Sequence, residues 1–237
     1  MKLTYLFNSG FVIECEQYMI VLDYYRDSPD EYMQQALASF QGKIYVLASH
    51  WHPDHFNRVV MQWPQIHFDI QFIFSDDIRD NLKSMDFEGV DFLAKGEVWE
   101  DERVRIQAFG STDVGGSFLI DTDGKRIFHA GDLNNWHWNE EASPQEAQAA
   151  ERDFLHELEL LAKTTSQLDL AMFPVDPRLG KDYMLGAQQF VRRISTKFFS
   201  PMHFGDEFAK AQAFKPFAEA AGCRLICWKK SGESFEI

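Results

Sequence analysis

The run Ser49-His50-Trp51-His52-Pro53-Asp54-His55 puts three imidazoles and a carboxylate into seven consecutive residues. Neutral imidazole and carboxylate are the usual ligands of zinc and its first-row neighbours. On an extended chain, residues two apart face the same side, so His50 and His52 can grip one ion. Asp54 and His55 fall where Pro53 turns the chain, and they can grip a second. Ordinary surface histidines are the bland alternative. Only 8 of 237 residues are histidine, however, and three of them fall within six positions. The spacing H-x-H-x-D-H therefore points to a metal-dependent hydrolase.

Such a cluster has to be delivered by regular structure. Ile44–Ala48, immediately before it, is a continuous apolar run and reads as a strand buried on both faces. Upstream, Lys2–Phe7, Phe11–Cys15 and Met19–Asp23 read as short strands, with turn signals at Asn8-Ser9-Gly10 and Glu16-Gln17. A helix is expected from Ser28, with Pro29 in its first turn, Glu31 completing a capping box and Gly42 at its end. Downstream, strand Ile70–Phe74 leads into a short helix opened by Ser75-Asp76-Asp77. Arg103–Phe109, Ser117–Asp121 and Lys125–His129 form a meander with a hairpin turn at Asp123-Gly124. A long helix is expected from Ser143-Pro144 to near Lys163, then strand Leu168–Phe173. Helices at Leu185–Ile194 and Asp206–Ala221 and strands at Lys197–Ser200, Arg224–Cys227 and Ser234–Ile237 complete the chain. No Pro/Gly/Ser-rich linker divides it, so the expectation is one α+β domain over residues 1–237, with two packed sheets and helices outside.

Two metals need more ligands than one motif holds, and strand ends commonly build sites in sheet enzymes. Ile127-Phe128-His129-Ala130-Gly131-Asp132 runs a strand into Gly-Asp. Gly131 permits a tight turn, and Asp132 can bridge two ions. Phe198-Phe199-Ser200-Pro201-Met202-His203 ends another strand in a histidine. His129 is expected to brace a ligand rather than bind metal. Around these ligands, Trp136 and His137 are candidate substrate contacts just past Asp132. Arg178 and Lys181 are candidates to hold an anionic substrate group, against the alternative of a solvated loop. Trp51 and Phe56 flank the cluster at its entrance.

Composition narrows the function. A net charge of -14, with no basic cluster larger than Arg192-Arg193 or Lys229-Lys230, disfavours nucleic-acid substrates. No apolar run approaches the roughly 18–20 residues that span a bilayer, and the N-terminus lacks a signal-peptide core. A cytoplasmic protein without a membrane partner is expected; oligomeric state is not legible. Cys15, Cys223 and Cys227 have no ligand spacing, and the latter two read as buried core thiols.

Taken in order, H-x-H-x-D-H after a strand, a strand ending in Gly131-Asp132 and a late strand ending in His203 resemble the metallo-β-lactamase superfamily. Asp169-Leu170-Ala171-Met172-Phe173-Pro174 and Pro201-Met202-His203 look closest to its ascorbate-6-phosphate lactonase-like branch. The resemblance covers nearly the whole chain and implies a four-layered αββα sandwich. It assigns His50 and His52 to a first metal and Asp54, His55 and His203 to a second, with Asp132 bridging. The family's third histidine for the first metal is missing from Phe109-Gly110-Ser111-Thr112-Asp113. Either Asp113 substitutes for it or the first site is weak. The implied cofactor is one or two divalent ions, zinc first; a carboxylate in place of imidazole would favour manganese or iron. The implied reaction is attack of metal-activated water, oriented by Asp54, on an ester, lactone or phosphoester of a small molecule, an anionic one where Arg178 and Lys181 hold it. A nuclease or phosphodiesterase, or a degenerate member that binds without catalysis, are the competing readings.

Overall fold

Apolar runs flanked by turn residues set the strand pattern of two compact units, each built on one seven-stranded sheet. The computed structural model describes residues 1–82 and 89–237. The first unit comprises Met1–Ala94 and Trp228–Ile237, and the second Lys95–Cys227.

The first unit opens with β1 (Lys2–Phe7), β2 (Gly10–Glu14) and β3 (Tyr18–Leu22), an antiparallel meander. After α1 (Tyr32–Ser39), the strands β4 (Lys43–Ala48), β5 (Ile70–Ser75) and β6 (Val90–Leu93) add in parallel, with α2 (Asp76–Asn81) following β5. All five residues of β3 are buried, as are the last five of β4, as expected of central strands covered on both faces. Met33 and Leu37 of α1 and Ile78 of α2 pack with Val21, Val46 and Phe74 in one core.

The second unit repeats the plan. β7 (Val98–Glu100), β8 (Val104–Phe109), β9 (Ser117–Thr122) and β10 (Lys125–His129) form an antiparallel meander. Asp123 and Gly124 both take positive φ in the β9–β10 turn, the conformation a two-residue hairpin loop requires. α3 (Pro144–Thr164), β11 (Gln167–Pro174), α4 (Leu185–Arg193), β12 (Ser195–Met202), α5 (Phe208–Gln212), α6 (Lys215–Ala220) and β13 (Arg224–Leu225) then supply parallel strands with crossover helices. The chain returns to the first unit at β14 (Ser234–Glu236), antiparallel to β1.

The expected strands are present to within a residue or two, and Ser143 and Glu146 form the expected capping box of α3. Three features differ. The helix expected from Ser28 starts at Tyr32, because Asp27 is the group that reaches its first-turn amides. The Asp27 carboxylate accepts from Met33 N–H and Gln34 N–H, both at 2.9 Å, while Glu31 is left-handed. The helix expected over Asp206–Ala221 is broken into α5 and α6. Pro216 has no N–H to offer the carbonyl of Gln212, so the helical ladder cannot run through. Cys223 is buried as expected, but Cys227 is half-buried. Among the described residues no helix is long and apolar enough to cross a membrane.

Candidate metal-binding clusters

The first unit's ligand candidates follow the C-terminal end of β4; in the second unit Asp132 and His203 follow β10 and β12, the two strands on either side of β11, and Asp113 follows β8. In the first, β3 ends at Leu22 and β4 at Ala48, and Asp23 N–H donates to the Leu47 carbonyl at 3.0 Å. Asp23 is fully buried and accepts hydrogen bonds at both carboxylate oxygens. Its Oδ1 accepts from Ser49 N–H at 2.7 Å, and its Oδ2 from Ser49 Oγ at 2.6 Å and His55 Nδ1 at 2.7 Å. The Ser49 hydroxyl proton is committed to Asp23, so its 3.0 Å contact with His50 Nδ1 requires His50 to donate. One carboxylate thus places the protons of both His50 and His55 on Nδ1 and leaves each Nε2 deprotonated, the form that can ligate a metal. Fixing a ligand's tautomer through its far nitrogen is the usual support of metal-binding histidines.

His52 O accepts from His55 N–H and Phe56 N–H, closing the turn that Pro53 starts. His50 and His52 each present a ligand atom, within 4.8 Å of one another, and their rings meet edge-on at 4.8 Å. Asp54 is held by Asn8, whose Nδ2 donates to Oδ2 at 3.0 Å, and that oxygen lies 3.6 Å from His55 Nε2. Two ligands about 2.1 Å from a tetrahedral ion stand about 3.4 Å apart, so the spacing suits a shared ion. Asp77 takes Trp51 N–H at 3.0 Å; its carboxyl is pushed up by burial, against the lowering effect of its hydrogen bonds.

In the second unit β10 delivers Asp132. His129 is buried and its Nδ1 accepts from Gly131 N–H at 3.2 Å, so it braces the Gly-Asp turn. Gly131 has φ 52°, the left-handed conformation that turn requires. The Asp132 carbonyl accepts from Trp136 Nε1 at 2.8 Å. β12 delivers His203, whose Nδ1 lies 2.9 Å from Asp176 Oδ2 and whose Nε2 lies 3.4 Å from Asp132 Oδ1. Burial pushes the Asp176 carboxyl up, but hydrogen bonds from His203 and Arg178 outweigh it and hold the group below the usual carboxylate range. Arg178 Nη2 also lies 3.1 Å from His203 Nδ1, but Asp176 is nearer, and an ionised carboxylate only accepts, so the bond to Asp176 puts the His203 proton on Nδ1 and presents Nε2 on the Asp132 side. Asp113 is exposed and offers a carboxylate oxygen within 4.8 Å of an Asp132 oxygen.

The remaining candidates divide. The Trp136 ring stands edge-on to His203 at 5.8 Å, beside the ligands. His137 does not face a ligand site. It is buried, its Nδ1 accepts from Asn139 N–H at 3.1 Å, and its Nε2 donates to the Asp182 carbonyl at 3.2 Å. It is a loop brace. Arg178 embraces Asp176 with Nε and Nη2, so its fork is spent on the carboxylate that orients His203. Lys181 is exposed on the following turn. Sequence reading missed the bracing roles of Asp23, Ser49, Asn8 and Asp176. Their signal is present only as polar residues just beyond apolar strands. Three of them or their partners, Asn8, Asp23 and His203, have positive φ without being glycine, a conformation costing roughly 1–2 kcal/mol that clusters at functional sites.

No protein-family model matches the chain, and no curated protein matches it in sequence. Solved structures do. Igni18, a metallo hydrolase from the archaeon Ignicoccus hospitalis KIN4/I, is 20% identical and superimposes with a TM-score of 0.69 over 100% of this chain and 98% of that one. The metallo-β-lactamase fold protein YhfI from Bacillus subtilis is 13% identical, with a TM-score of 0.65 over 99% of each chain. CmlA, a diiron β-hydroxylase from Streptomyces venezuelae, is 12% identical, with a TM-score of 0.66 over 100% of this chain and 54% of that one. The two-sheet α+β architecture of this chain is the metallo-β-lactamase fold.

Proposed function

We propose that this chain is a metal-dependent hydrolase of small molecules. The observation that carries the reading is the repeated carboxylate brace. Asp23 on His55 and Asp176 on His203 each fix Nδ1 as the donor and turn Nε2 toward a further carboxylate at 3.4–3.6 Å. Surface or core histidines need no such arrangement twice. The donor set fits divalent ions: the proposed ligands are His50, His52, Asp54 and His55 from the first unit and Asp113, Asp132 and His203 from the second.

A bound divalent ion supplies an acidified water and polarises the substrate oxygen under attack. The chain's own residues do the rest. Asp54, steadied by Asn8, accepts a hydrogen bond from the attacking water and orients it. Asp23 and Asp176 keep the ligand nitrogens deprotonated. Trp136, tied to the Asp132 carbonyl, presents an apolar edge beside His203 that limits solvent. The bond cleaved is an ester, lactone or phosphoester. A lactone is the first to try, given the resemblance of Asp169–Pro174 and Pro201–His203 to the lactonase-like branch. Zinc is the first metal expected, but Asp113 in place of imidazole and a diiron neighbour with the same fold support testing manganese and iron as well.

The test is metal content per chain, by elemental analysis, for the parent and Asp113→Ala, with turnover of lactone, ester and phosphodiester panels by both and by Asp132→Asn. Two equivalents falling to one identifies Asp113 as a ligand; one in both means a single-metal enzyme. Failure to bind zinc, manganese or iron after reconstitution, or turnover that survives in Asp132→Asn, sinks the proposal.

A further inference from the structure

The ligand loop of the first unit forms the wall of a cavity, and the lining of that cavity bears on the substrate. The cavity encloses about 510 Å³ and is lined by Tyr25, Trp51, Pro53, Phe56, Asn57, Arg58, Asn81 and Leu82. That volume lies within the roughly 300–1,000 Å³ typical of small-molecule sites. Three of the lining residues are interleaved with the ligand candidates. Trp51 separates His50 from His52, Pro53 separates His52 from Asp54, and Phe56 follows His55. The Trp51 and His52 rings are in contact at 4.9 Å, so a molecule resting on Trp51 lies next to the ligand loop.

Its body is apolar. Tyr25, Trp51 and Phe56 supply rings, and Pro53 and Leu82 aliphatic surface. Trp51 is 40% exposed. The amides are already spent. Asn57 donates to the Tyr25 carbonyl at 2.8 Å and accepts from Val59 N–H at 3.0 Å, and Asn81 donates to the Asp77 carbonyl at 2.9 Å. Besides the Tyr25 hydroxyl, the lining offers one charged group, Arg58. Its guanidinium makes one long hydrogen bond, Nη2 to the Asn81 carbonyl at 3.3 Å, and among the described residues it pairs with no carboxylate. Arg58 is exposed and lines the cavity. Among the described residues no carboxylate neutralises this arginine beside the aromatic cavity, so in a chain of net charge -14 it offers a positive charge there. The planar fork of arginine matches an oxyanion.

We infer that this cavity binds the part of the substrate that carries an apolar ring and an anionic group, the ring against Trp51 and Phe56 and the oxyanion against Arg58. The inference rests on the hydrolase reading for the word substrate, and it replaces Arg178, which is held by Asp176, as the anion-recognising residue. The oxyanion is a carboxylate or a phosphate monoester, and the test separates them.

The full-length protein, stripped of metal by chelation, is titrated with 3-phenylpropionate, 3-phenylpropyl phosphate and the neutral 3-phenylpropanol. Binding is followed by tryptophan fluorescence and by calorimetry. At least one anionic probe is expected to bind ten-fold or more tightly than the alcohol. Arg58→Gln should abolish that preference while leaving the alcohol's affinity within about two-fold. Trp51→Phe should remove the fluorescence response while calorimetric binding persists. The tighter of the two anions identifies the oxyanion. No saturable binding of either anion, no preference over the alcohol, or a preference unchanged in Arg58→Gln overturns the inference. Because the readout needs neither metal nor turnover, a failed metal-content test would remove the hydrolase reading and leave this binding result standing, and the reverse.

Discussion

Replacing Asp23 by Asn is the sharpest perturbation of the proposed chemistry, because it acts on two proposed ligands without substituting either. The substitution is nearly isosteric. With Oδ1 kept on Ser49 N–H, the new amide nitrogen takes the place of Oδ2, which now accepts from Ser49 Oγ at 2.6 Å and His55 Nδ1 at 2.7 Å. An amide nitrogen only donates. His55 must then accept at Nδ1 and carry its proton on Nε2. Ser49 Oγ, now an acceptor from Asn, has its own proton released to turn toward His50 Nδ1, 3.0 Å away, and that donation reverses the second imidazole too. The proton then sits on Nε2 of His55, and of His50 where Ser49 donates to it. Loss of such a support typically costs 10–100-fold in metal affinity, equivalent to about 1.4–2.7 kcal/mol. Without metal, the carboxylate's two charge-assisted bonds are exchanged for neutral ones. That should cost about 1–3 kcal/mol and lower Tm by roughly 2–12 °C for a chain of this size. Affinity is read by competition with a chromophoric zinc chelator, and tautomers by ¹⁵N shifts of the imidazoles in metal-free protein. Affinity within three-fold of the parent, together with unchanged tautomers, would refute the argument that Asp23 sets the protonation of His50 and His55.

Three further outcomes are expected. Burial pushes the Cys223 thiol up to about 12, so at pH 8 a thiol reagent should label Cys15 and Cys227 in the native protein and reach Cys223 only on unfolding; fast native labelling of three thiols would contradict this burial. Gly42 has no room for a side chain, since a Cβ there would stand 2.1 Å from the Gln17 carbonyl oxygen, and Gly42→Ala should destabilise by about 1–3 kcal/mol in denaturant melts, whereas a neutral effect would mean the β3–β4 approach is looser than described. The Glu146 carboxyl is held below its ordinary value by the Ser143 backbone N–H. A depressed folded value means its stabilisation is present above the ordinary carboxylate pKa and is lost as pH falls through the folded one. Glu146→Gln should flatten that acid limb of a Tm–pH profile and leave the neutral plateau nearly unchanged; an unaltered limb would show that the capping box does not titrate with folding.

The sequence made the strands and the ligand candidates legible because both depend on local signals. Apolar runs such as Ile44–Ala48 and Phe198–Ser200 are long enough to mark a strand, and a polar residue just past such a run must leave the sheet. Short edge strands such as Val90–Leu93 and Val98–Glu100 went unanticipated because neither buries enough apolar surface to leave a pattern. The start of α1 was misplaced because Ser28-Pro29-Asp30-Glu31 satisfies a capping rule that Asp27 satisfies better in space. The roles of His137 and Arg178 could not be read locally. His137 is defined by the Asp182 carbonyl, 45 residues away, and Arg178 by an Asp176 that is itself defined by His203. Spacing identifies which residues can ligate or bind; only pairing decides which are already committed.

The braces themselves follow from strand direction. Parallel neighbours emerge at the same edge of a sheet, antiparallel ones at opposite edges. β3 and β4 are parallel, with Leu22 opposite Leu47, so Asp23 leaves the sheet beside the loop that carries Ser49 and His55. β11 and β12 are parallel, with Pro174 opposite Met202, so Asp176 emerges beside His203. Each unit begins with an antiparallel meander, which puts alternate strand ends on opposite edges, and turns parallel where the braces are needed. An antiparallel β4 would carry its histidines to the far edge, and Asp23 would be a buried carboxylate with no donor, at a cost of several kcal/mol. The parallel pairing of β3 with β4 and of β11 with β12 therefore places each carboxylate beside the histidine it holds. A sequence with the same H-x-H-x-D-H spacing, but without an apolar strand ending in a carboxylate to run parallel to it, should hold metal 10–100-fold more weakly.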